Sequence, residues 1–115
     1  MRNKVIVLFS LIVMAALALS DDALEQGKSL AMERGKGNCL ACHSIEDGQL
    51  PGNLGPPLLL MKARFPDRER LRKQIHDASS SNRHSRMPPF GRHQILTAEE
   101  IELILDYLYT LSSLK

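Results

Sequence analysis

Past residue 20 the sequence contains no valine, and nowhere in its 115 residues is there a tryptophan. The β-branched residues of that region are only Ile45, Ile75, Ile95, Thr97, Ile101, Ile104 and Thr110, which argues against a sheet and for an all-α fold. Aromatic residues are also scarce there, limited to Phe65, Phe90, Tyr107 and Tyr109. Four rings are few for the unaided core of a domain of this size, and a large apolar cofactor at the centre would make up the deficit. The protein has just two cysteines, Cys39 and Cys42, and both sit in one motif, so no structural disulfide is left to form. Without a second cysteine pair, a structural zinc site is short of ligands as well.

One long apolar run is present, Val5 to Leu19, preceded by Arg2 and Lys4 and closed by Ala18-Leu19-Ser20. A basic start, a short apolar stretch and a small-x-small ending form the pattern of a cleaved secretory signal, and the run is short against the roughly 20 residues of a membrane span. The expected organisation is therefore a signal peptide over 1–20 and one domain over 21–115, exported to the periplasm, with no membrane span after cleavage. Removing 1–20 takes away two of the fifteen basic residues and none of the thirteen acidic ones, leaving a formally neutral protein. Its charge is uneven: Lys62, Arg64, Arg68, Arg70, Arg72, Lys73, Arg83, Arg86 and Arg92 make a basic band between two acidic ends. That band reads either as a solvated surface or as a field that neutralises cofactor carboxylates and steers an acidic partner. Nucleic-acid binding does not suit an exported protein of this kind.

Three helices can be read from spacing. Ala23 to Arg34 places Leu24, Gly27 and Ala31 on one face, with Gly35 and Gly37 as stop signals. Asp67 to Ala78 follows Pro66, sets Leu71, Ile75 and Ala78 at helical spacing, and has Asp67 and Glu69 at the positive end of its dipole. Thr97-Ala98-Glu99-Glu100 is a capping box that opens a helix through Ile101, Ile104, Leu105, Leu108 and Leu111. Between the first two helices, residues 48–57 are rich in glycine and proline and read as a loop; residues 79–91 read as a second.

The chemistry lies in Cys39-Leu40-Ala41-Cys42-His43. In an exported protein, the pattern C-x-x-C-H signals covalent haem attachment, with both thiols adding to one porphyrin and the histidine ligating its iron. A thioredoxin-like redox pair would need a βαβ scaffold that this composition does not supply. The second axial ligand is sought among Met32, Met61, Met87, His76, His84 and His93. Met87 is preferred because Pro88 and Pro89 stiffen its loop and hold the thioether in place; His84 is the runner-up, Met32 and Met61 read as packing residues, and His76 and His93 as ordinary histidines. Thioether ligation raises a haem's reduction potential above that of a bis-histidine site, which suits an electron acceptor. Gly55-Pro56-Pro57 forms a rigid turn in which the Pro56 carbonyl could accept a hydrogen bond from His43 and fix its tautomer.

The order of attachment motif, Gly-Pro turn, Met-Pro loop and capped helix resembles the class I cytochromes c, which implies three main helices around one covalently bound haem c. More closely, Gly37 to His43, Pro51 to Leu58, Pro66-Asp67-Arg68 and Met87 to Gly91, followed by His93 and Ile95-Leu96-Thr97, resemble the SoxX family, the small monohaem subunits of SoxAX cytochromes. The resemblance implies Cys39 and Cys42 as haem attachment points, and His43 and Met87 as axial ligands. It also implies a SoxA-like haem subunit as partner, a SoxYZ-like carrier whose cysteine is oxidatively coupled to thiosulfate, and a soluble cytochrome as electron acceptor. The protein would then be a non-catalytic electron-transfer subunit of a thiosulfate-oxidising enzyme, an L-cysteine S-thiosulfotransferase. The alternative is a free-standing cytochrome c that shuttles electrons between respiratory complexes.

Overall fold

The computed structural model describes residues 20–112; the expected signal peptide lies outside them except for Ser20. No strand occurs among the described residues, and none of their helices is long and apolar enough to cross a membrane. The first helix, α1, is helical to residue 32. Three more follow, α2 (Met61–Arg64), α3 (Arg68–His76) and α4 (Ala98–Leu108), with 3-10 turns at Cys39–Ala41 and Ala78–Ser80.

Helix α4 is the organising element. Its capping box is complete, with the Glu100 amide donating to Thr97 Oγ1 at 3.1 Å and the Thr97 amide to the Glu100 carboxylate at 2.9 Å. Ile101, Ile104, Leu105, Tyr107 and Leu108 are buried along it. Helix α1 crosses it at Gly27, where a β-carbon would stand 2.0 Å from the Leu103 carbonyl oxygen, so only glycine permits the approach. Lys36, just beyond α1, reaches Glu100 at 2.7 Å. That ammonium, with the Thr97 amide, holds the Glu100 carboxyl below its usual range.

Helix α3 packs against α4 and is one residue shorter at its start and two at its end than its periodicity suggests. Asp67 is its N-cap, accepting from the Glu69 amide. Asp77 ends it by turning its carboxylate to the Ser79 amide, which starts the Ala78–Ser80 turn. Leu71 and Ile75 point into the core as the spacing expects, and Ala78 joins them from the turn.

Three of the nine cations of the basic band are paired with acids of the same protein. Arg68 lies 2.9 Å from Glu102 and 2.8 Å from Asp106 on α4, Arg72 bonds Glu69 and Glu102, and Arg92 lies 3.2 Å from Asp77. Arg68 also sits over the Tyr109 ring, and Arg70 over that of Phe65. The pairs to Glu102 and Asp106 tie α3 to α4 across its exposed edge, and Arg92 is held by Asp77, so Arg68, Arg72 and Arg92 are not free charges for steering a partner.

Candidate functional site

The attachment motif is held in a 3-10 turn. Three residues per turn bring side chains i and i+3 to the same side, so Cys39 and Cys42 face one way from a backbone closed by the Cys42 and His43 amides on the Cys39 carbonyl. Asn38 enters this turn at φ 46°, a left-handed conformation that asparagine tolerates better than most residues. The two thiols are free of any disulfide. Burial pushes the Cys39 thiol up to about 11, the opposite of the lowered pKa that a dithiol redox pair requires.

The Gly-Pro loop folds back onto this turn. Gly52 donates to the Leu40 carbonyl at 2.9 Å and Gly55 to that of Cys42 at 2.8 Å. The loop thereby brings the Pro56 carbonyl 2.6 Å from His43 Nδ1. A carbonyl can only accept, so Nδ1 carries the proton and Nε2 keeps a free lone pair. The imidazole lies flat against Gly55, whose α-carbon could bear no β-carbon without meeting the ring at 2.2 Å.

Cys39, Cys42, His43, Pro56 and Met87 all line a single cavity of about 830 Å³. Its walls are Leu58, Met61, Leu71, Ile75, Phe90, Leu96, Ile104 and Leu108. The volume lies within the roughly 300–1,000 Å³ of cofactor pockets. Largely apolar walls, two thiols and the donors His43 and Met87, among four soft or nitrogen donors on the lining with Met61 and His84, match a covalently held porphyrin with an iron at its centre. His84 also lines the cavity; Met32, His76 and His93 do not. Met61 is 2% exposed, and its sulfur accepts from the Arg64 guanidinium at 3.7 Å, which fits a wall residue.

Met87 stands on a loop clasped at both ends. The His76 carbonyl, at the end of α3, accepts from the Gly91 and Arg92 amides at 3.1 Å each, and the Phe90 carbonyl accepts from Ile95 and Leu96. Upstream, the Met87 amide donates to Ser85 Oγ at 3.2 Å. Sequence reasoning missed Arg34, which lines the cavity together with Arg64 and Arg86. It ends an expected helix and lies far along the sequence from the basic band, so no local pattern marks it.

Comparison with known proteins gives matches of three kinds. The family described as cytochrome c oxidase, cbb3-type, subunit III matches residues 22–108. An uncharacterized lipoprotein of Aquifex aeolicus (strain VF5) is 37% identical over 75 residues, covering 64% of this chain and 36% of that protein, so the chain spans about a third of that relative's length. A polypeptide of the crystal structure of SoxXA from P. pantotrophus superposes with a TM-score of 0.68 at 28% identity, covering 77% of this chain and 81% of that one.

Proposed function

The chain belongs to the family described as cytochrome c oxidase, cbb3-type, subunit III, and is a SoxX-like cytochrome with an all-α class I cytochrome c fold and covalently bound haem c; from that premise we propose that it is the electron-transfer subunit of a periplasmic thiosulfate-oxidising complex. Cys39 and Cys42 would attach the haem, His43 and Met87 would ligate its iron, and Pro56 would orient His43. Residues 1–20 direct export, and 21–115 form the cytochrome domain.

Haem c, when bound, supplies a one-electron iron couple. The protein's part is to hold donors still and to set their strength. The Pro56 carbonyl fixes the His43 tautomer and makes Nε2 the more basic donor. The clasp on the Met87 loop restricts its thioether, so little entropy is lost when it ligates. Arg34, Arg64 and Arg86 place positive charge on the cavity lining, where porphyrin carboxylates would be neutralised.

The observation that carries the reading is the 2.6 Å approach of Pro56 to a histidine that adjoins two cysteines on one cavity wall. The likeness to SoxXA supports a SoxA-like haem subunit as partner, and with it we propose a SoxYZ-like carrier that receives thiosulfate on a cysteine and a soluble cytochrome that takes the electrons on. The test is to purify the protein from its native periplasm. A second haem protein should co-elute, and thiosulfate with the carrier should reduce the haem. A monomer indifferent to both would overturn the reading in favour of a free-standing shuttle.

A further inference from the structure

Leu50 has no role that the fold explains. Its side chain is 98% exposed, so it adds nothing to the core, and its backbone sits at φ 53°, a conformation that any β-carbon disfavours. Leu60 repeats the combination at 50% exposure and φ 50°. Glycine or asparagine would relieve both positions. Between them Leu54 is 70% exposed and lines the cavity. All three lie within residues 48–60, a stretch with no charged residue in a protein that is 24% charged.

This segment is not a loose loop. Its backbone is bonded to the attachment motif at Leu40 and Cys42, Leu58 donates to the Ser44 carbonyl at 2.8 Å, and Arg64 donates to the Pro57 carbonyl at 2.8 Å. Apolar side chains held outward on a rigid, uncharged support beside the attachment motif are features of an interface, and backbone strain retained at such positions points the same way.

We propose that residues 48–60 are the docking surface for the haem-bearing partner subunit, with Leu50 and Leu60 seated against an uncharged apolar surface of that subunit and Leu54 left to the cofactor cavity that it lines. The inference rests on the subunit reading above and says where the partner sits. Three arguments favour this occupant. Permanent subunit interfaces are apolar, whereas a transient charged partner would need charge on the segment. Hydrogen bonds from the segment to Leu40, Cys42 and Ser44, within and just after the Cys39–Ala41 turn, bring whatever covers it next to the cofactor, as electron transfer between subunits requires. A second copy of this protein would instead face one cofactor with another of equal potential, giving no direction to the transfer.

The test uses the haem-loaded protein with Leu50→Asn and Leu60→Asn, singly and together. Asparagine tolerates both backbone conformations, so the melting temperature should hold or rise, and the visible spectrum and reduction potential should not move. Affinity for the haem subunit, measured by titration calorimetry, should fall about tenfold or more in the double variant. The native affinity should change less than about threefold between about 0.05 M and about 0.5 M salt. Undiminished affinity in the double variant overturns the docking surface and leaves the subunit reading standing. A native protein that does not bind the haem subunit overturns both. Self-association that sedimentation detects in the native protein and not in the variant replaces the partner with a second copy. A lowered melting temperature overturns the premise that the fold does not need these leucines.

Discussion

Replacing Gly55 by alanine probes the link between the Gly-Pro loop and the proposed axial histidine. The added β-carbon would lie 2.2 Å from Cε1, 2.5 Å from Nδ1 and 2.7 Å from Nε2 of His43. Each is about 1 Å or more inside van der Waals contact. The Gly55 backbone is tied to the Cys42 carbonyl at 2.8 Å, so the ring is what yields, and its 2.6 Å bond to Pro56 opens. A net hydrogen bond is worth ~1 kcal/mol, which for a one-electron couple corresponds to about 40 mV. The sign follows from the donor: without the Pro56 acceptor His43 is less basic, oxidised iron is less favoured, and the potential rises. Spectrally monitored redox titration of the haem-loaded variant should therefore show a potential about 40 mV higher or more. Stability is a poor readout, because alanine also narrows the unfolded ensemble by ~0.4–1 kcal/mol. A potential within about 10 mV of native, with His43 still ligating, would refute the reasoning.

Met87→Ala should abolish the absorption band of methionine-to-iron ligation and lower the potential; an unchanged oxidised spectrum would remove Met87 from the site and return attention to His84, which lines the same cavity. Gly27→Ala should destabilise the protein by roughly 1–3 kcal/mol in thermal unfolding, even though alanine is the better helix former, because the clash is with the Leu103 backbone. Glu102, bonded first by Arg72 and then by Arg68, has its carboxyl pulled from the ordinary 4.5 down to about 2. Its pairs therefore contribute stability above about pH 4.5 that is lost as pH falls toward 2. Both partners are more than a third exposed or nearly so, and the contribution is held to ~1 kcal/mol by solvent screening. Glu102→Gln should flatten that part of the acid-denaturation profile and leave the neutral haem spectrum unchanged.

The features legible in the sequence are those set by near neighbours. Thr97 and Glu100 are three residues apart and cap α4 as their spacing implies. Leu71 and Ile75 face inward as their period implies. The features that were not legible depend on distant partners. Arg68 and Arg72 form part of a basic band in sequence, yet the Glu102 that both bind is on α4, some thirty residues on, and the packing of α3 against α4 is what joins them. Helix α2 has four residues and no periodicity to show. Leu60 starts it at positive φ, and Arg64 bonds the carbonyls of Pro57 and Leu59 from its end. The early stop of α3 comes from Asp77, whose carboxylate serves the following turn, where a period alone would carry the helix on to Ala78.

Helical spacing identifies a buried face without saying what covers it, and in this fold that distinction decides how the core is read. Ile104 and Leu108 of α4, with Leu71 and Ile75 of α3, line the cavity, whereas Ile101, Leu105 and Leu111 are buried away from it. Helix α4 is thus covered on two sides, by the cofactor site on one and by packed protein, with α1 at Gly27, on the other. A domain with so few aromatic residues can be built this way because a porphyrin supplies the large flat apolar surface that aromatic side chains otherwise provide. Truncating Ile104 or Ile75 should then perturb haem spectrum and stability together, whereas truncating Leu105 should change stability by roughly 2–5 kcal/mol with the haem spectrum intact. That split between two neighbouring positions of one helix, Ile104 and Leu105, distinguishes a cofactor that completes the core from one bound beside a core already formed.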